Sequence, residues 1–67
     1  MERKKEIKIG MALDEYKLPE KESWWKIALE KAPYVEQEYD FVREEQKPGL
    51  SPGTVMLYRH YKLKEPN

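Results

Sequence analysis

Hydrophobic and polar positions alternate near the start of the chain. In KKEIKIGMAL, Ile7, Ile9, Met11 and Leu13 fall on one side of an extended backbone, and Lys8, Gly10 and Ala12 on the other. Strand side chains point to opposite faces in turn, so this period of two predicts a half-buried strand over residues 4–13. A second alternation stands at the far end, in TVMLYRHYKL. Val55, Leu57, Tyr61 and Leu63 share one face there, and Met56, Tyr58, His60 and Lys62 the other, which predicts a strand over residues 54–63. KPGLSPG, just before it, reads as a loop punctuated by Pro48, Gly49, Pro52 and Gly53.

Between these alternations the period becomes helical. Pro19 suits the opening of a helix, where its missing N–H is not needed, and Pro33 suits its end. The predicted helix covers residues 20–32. At about 100° per residue, Ile27, Trp24, Ala28, Ala32, Trp25 and Leu29 succeed one another over an arc of roughly 200°. A surface helix commonly needs a stripe of little more than about 100°. The expectation is therefore that one tryptophan fills the core and the other is finished by a second chain. Trp24, nearer Ile27 and Ala28, is expected inward against Ile7, Ile9, Leu57 and Tyr61. Trp25 is expected at the flank with Leu29 or Ile27.

PYVEQEYDFVREEQKPG fits two templates. As a strand, Val35, Gln37, Tyr39 and Phe41 point one way, and Glu36, Glu38 and Asp40 the other. As a helix, Glu38 and Glu45 intrude on the buried arc. The strand over residues 34–44 fits better. A hairpin with the last strand then opposes Glu36 to Lys62, Glu38 to His60 and Asp40 to Tyr58. The expected architecture is α+β in the order β-α-β-β, a three-stranded antiparallel sheet packed on one helix. The alternative, with residues 34–46 helical, is β-α-α-β.

Composition narrows the function. The 67 residues suit one domain over 1–67, with 1–3 and 64–67 expected to fray. A chain of this size buries about 60% of its unfolded surface, so it leans on good packing or on association. Without cysteine and with His60 as the sole histidine, disulfides and common zinc frameworks are excluded. The Glu and Lys bias resembles that of hyperthermophile proteins. No apolar run suits a bilayer span or a signal peptide, and the expected setting is the cytoplasm.

Candidate chemistry is sparse. His60 near Glu38 reads as a surface ion pair rather than an acid/base pair, and Glu36, Glu38 and Asp40 are too far apart along a strand to hold a metal. No phosphate loop or nucleophile motif is present, so no enzyme, cofactor or metal is expected. The formal net charge of zero conceals cationic ends around an acidic middle. If the ends meet, Arg3, Lys4, Lys5, Lys8, Arg59, Lys62 and Lys64 form a basic patch, with Tyr58 able to stack on a base. That is the nucleic-acid alternative. The leading expectation is a non-enzymatic protein-interaction module, such as an accessory subunit, an antitoxin or a virus-encoded modulator, or a self-associating chain. Its expected contacts are Trp24, Trp25, Ile27 and Leu29, because exposed apolar surface and aromatic residues mark interfaces.

Overall fold

The computed structural model describes residues 4–65. Its elements are β1 (Glu6–Asp14), a 3-10 helix (Glu15–Glu20), α1 (Lys21–Glu30), α2 (Tyr34–Glu38), β2 (Tyr39–Pro48) and β3 (Thr54–Leu63). The strands form one antiparallel sheet in the order β1-β3-β2, with α1 as the main helix on one face. This is the expected α+β architecture.

The alternation in β1 and β3 works as the pattern implies. Ile7 opposes Tyr61, Ile9 opposes Arg59, Met11 opposes Leu57 and Leu13 opposes Val55. Residues directly opposite share a face, so these eight line the side under the helix. Lys8, Gly10 and Ala12 oppose His60, Tyr58 and Met56 on the open side.

The helical segment begins differently from expectation. Pro19 lies inside the 3-10 helix rather than at the head of α1, and Leu18 packs against the first core cluster. α1 presents Trp25 and Leu29, one turn apart, to the sheet. Trp25 packs with Leu13, Val55 and Leu57; Leu29 packs with Val35, Tyr39 and Tyr61; and Ile9 borders both clusters. The expected roles of the tryptophans are reversed. Trp25 is 1% exposed, whereas Trp24 sits partly buried at the rim beside Ala28. The physical reason is bulk: the Trp25–Leu29 pair brings two large apolar groups to one face, while the residue one turn on from Trp24 is the small Ala28.

The ambiguous segment is divided rather than decided one way. Residues Tyr34–Glu38 form α2, which buries Val35 completely, and the strand begins at Tyr39. The expected hairpin exists but in another register: Asp40 opposes Lys62, Arg43 opposes His60 and Glu45 opposes Tyr58. Two causes combine. β2 runs on to Pro48, past the expected end at residue 44, and a β-bulge inserts Val42 between Phe41 and Arg43. The turn is correspondingly tight. Gly49 N–H donates to the Thr54 carbonyl, Thr54 Oγ1 donates to the Ser51 carbonyl at 2.6 Å, and Gly53 adopts φ +79°. The glycine is needed there because a side chain disfavours that backbone region.

Candidate interaction surfaces

The expected tryptophan surface does not assemble. Trp25 and Leu29 belong to the core, and Ile27, 47% exposed, stands on the outward side of α1. Trp24 is covered by Lys17 of the 3-10 helix, whose Nζ lies 5.0 Å from the indole centroid. The helix wheel puts these residues on one arc but cannot say which part of it docks, and Ile27 at one end of that arc faces outward.

The basic candidates separate as well. Arg3 lies outside the described residues. Lys4 is held at the backbone, where its carbonyl accepts the Tyr39 hydroxyl at 2.8 Å. Lys5, Lys62 and Lys64 lie together with Leu63 and Glu65 around a shallow depression at one end of the sheet. Lys64, expected to fray, donates its N–H to the Glu38 carbonyl at 2.9 Å. Lys8 reaches over the Tyr58 ring at 4.7 Å, and Lys47 approaches that ring at 5.7 Å. The ring itself lies on Gly10, where a Cβ would come within 2.8 Å of it. Arg59 leaves the group altogether, because its position in β3 turns it under the helix.

Arg59 is instead the centre of a charged cluster. Its guanidinium lies 4.6 Å from the Trp25 ring and 5.5 Å from that of Phe41. Nε donates to Glu44 Oε1 at 3.0 Å, and Nη2 donates to both oxygens of Glu22. Lys21 adds a 2.8 Å bond to Glu44 Oε2. Burial alone would raise the Glu44 pKa, but the bonds from Lys21 and Arg59 outweigh it and hold the carboxyl below its usual range. Burial likewise opposes the charge on Arg59, yet Glu44 and Glu22 raise its pKa. A flat cation on an indole face, paired at its edges, is a packing arrangement.

His60 does not meet Glu38. Its Nε2 lies 3.0 Å from Glu45 Oε1, on the open face of the sheet. That hydrogen bond is the main reason the Glu45 carboxyl sits below its usual range, with Lys47 and Arg43 assisting against slight desolvation. Glu36 and Glu38 fall in α2 while Asp40 falls in β2, and among the described residues no three carboxylate or imidazole groups converge on one point.

Exposed apolar side chains lie elsewhere: Tyr16 and Leu50 stand apart in the 3-10 helix and the turn, and Phe41 and Val42 are adjacent on β2. α1 covers β1 and β3, whereas Tyr39 is the sole residue of β2 that is buried. Phe41 and Val42 are 54% and 56% exposed. Phe41 meets Tyr61 edge-to-face at 5.9 Å. Beside it runs a shallow groove lined by Leu29, Glu36, Asp40, Phe41, Arg59 and Tyr61. The sequence carried a signal for this place. In YDFV, Val42 falls on the polar side of the Tyr39–Phe41 alternation, and such a break is what a bulge leaves in a pattern. No known protein family, curated protein or solved structure matches this chain. Among the described residues no helix is long and apolar enough to cross a membrane.

Proposed function

We propose that the chain is a protein-interaction module, an accessory subunit or modulator, which docks its partner on the bare flank of β2 rather than on the tryptophans. The observation that carries this reading is the adjacent exposure of Phe41 and Val42 at the bulge, beside the groove between α1 and β2. A partner inserting an apolar side chain beside Phe41 would meet Leu29 and Tyr61 below it. Glu36 and Asp40 at the margin favour a partner whose own rim is basic.

The test is affinity capture from the native source with wild-type bait and with a Phe41→Ala/Val42→Ser bait, before and after nuclease. The expected result is a protein retained through nuclease treatment by the wild type and lost by the variant, with the variant's thermal unfolding still cooperative. Equal retention by both baits refutes the docking flank. A second reading, nucleic-acid binding on the open sheet face, is favoured by Tyr58 lying between Lys8 and Lys47. Glu6, Asp40 and Glu45 on that face oppose it. Retention that vanishes with nuclease, and gel retardation that falls steeply with salt, would favour it instead.

A further inference from the structure

The two edges of the sheet are unlike. In the β3 ladder, Gly49 N–H donates to the Thr54 carbonyl and Lys64 N–H to the Glu38 carbonyl. The alternation that follows turns the backbone groups of Glu44, Gln46 and Pro48 outward on β2. Pro48 has no N–H to offer there, and the Val42 bulge bends the strand. Both devices spoil this edge for another strand.

The β1 edge carries neither. Leu63 N–H donates to the Lys5 carbonyl, and Glu15 N–H donates to the Gly53 carbonyl. The odd-numbered residues between them therefore pair with β3. The N–H and C=O groups of Glu6, Lys8, Gly10, Ala12 and Asp14 point away from the sheet. β1 runs from Glu6 to Asp14 without proline or bulge, and among the described residues no strand covers its outer side.

We infer that β1 pairs antiparallel with β1 of a second copy of this chain, about a two-fold axis at Met11, giving one continuous six-stranded sheet. The register follows from charge and face. With Met11 opposite Met11, Lys8 faces Asp14 of the second copy at each end, and Gly10 faces Ala12. Under the helices, Ile9 faces Leu13. All of these pairs match small with small, apolar with apolar, or cation with anion. Centring the axis on Gly10 would set Glu6 against Asp14, and centring it on Lys8 would set lysine against lysine. Centring it on Ile7 would set Lys5 against Ile9. The Gly10–Ala12 pairs leave the open face uncrowded where the Tyr58 ring lies over Gly10. Backbone pairing along an edge supplies affinity, and the side-chain register supplies specificity. This inference does not rest on the β2 docking flank, and its readout is separate.

The experiment is sedimentation equilibrium over a dilution series, with far-UV circular dichroism as the check on fold. The wild type should approach twice the 8.1 kDa chain mass as concentration rises. Lys8→Asp and Asp14→Lys each place like charges opposite at both ends and should weaken the dimer by about tenfold or more. Lys8→Asp combined with Asp14→Lys should restore it. Ala12→Pro removes an outward N–H that β3 does not use and should leave a folded monomer. A wild type that stays monomeric to millimolar concentration overturns the inference. So does a dimer indifferent to Ala12→Pro, or one that the charge swap fails to restore.

Discussion

Replacing Arg59 by alanine should come close to unfolding the domain, although arginine in a strand is ordinarily a surface residue. The magnitude follows from the three contacts. The bond to Glu44 joins side chains only 15% and 18% exposed. A charge-assisted bond is worth about 1.5–3 kcal/mol, discounted here toward about 1–1.5 for residual screening. Stacking on Trp25 at 4.6 Å adds about 1 kcal/mol. Glu22 is 76% exposed and adds no more than about 0.5 kcal/mol. The sum, about 2–3 kcal/mol, compares with roughly 3–5 kcal/mol for the whole core of so small a domain. Urea unfolding followed by tryptophan fluorescence measures it, and double-mutant cycles apportion it. Coupling of Arg59 to Glu44 should exceed coupling to Glu22. Arg59→Lys should recover only part of the loss, since an ammonium cannot lie flat on the indole. An Arg59→Ala variant destabilised by less than about 1 kcal/mol, or a larger coupling to Glu22, would refute this account.

The same cluster predicts an acid dependence. The Glu44 carboxyl titrates below its ordinary value of 4.5 in the folded state, so its contribution is complete above that value and lost as pH falls through the lower, folded one. Stability measured across this acid range should fall less steeply in Glu44→Gln than in the wild type; identical slopes would count against the network. For the tryptophans, Trp25→Ala should cost about 3–5 kcal/mol and Trp24→Ala, from the rim, about 1–2 kcal/mol, read from thermal unfolding. Equal costs would contradict the inward assignment of Trp25.

β1, β3 and the helix were legible because each holds one period over many residues, with Gly53 just before β3 and Pro33 just after the helix. Residues 34–48 were not, because one stretch serves two periods. Val35 answers to the helix and Tyr39 to the strand, and either template applied throughout mistakes half of it. Register was lost because β2 continues to Pro48, past the expected end at residue 44, and the bulge at Val42 offsets the pairs on its two sides by one more. The tryptophan reversal has a different origin. Phase on a helix is set by what the sheet offers, and Leu13, Val55 and Leu57 form a hollow that only tertiary structure reveals. Arg59 shows the limit for charge. Its odd number in β3 already placed it on the apolar face with Leu57 and Tyr61, but its partners Glu22 and Glu44 come from elements whose placement the pattern could not supply. Phe41 and Val42 could have been suspected from the broken alternation, though not that α1 would stop short of covering them.

β3 is the central strand of the sheet and also the last strand in chain order. During synthesis, β1 and β2 therefore have no partner until Thr54–Leu63 has left the ribosome. α1, ten residues long, is too short to persist alone in the meantime. Even the nearest pair of the β1–β3 ladder, Asp14 with Thr54, encloses the helices and β2, so a long loop must close before its first bond can form. Such non-local pairing is slow, and it keeps the apolar side of β1 open to other nascent chains until β3 is available. The topology thus makes the whole sheet wait on β3, whatever the elements before it have already formed.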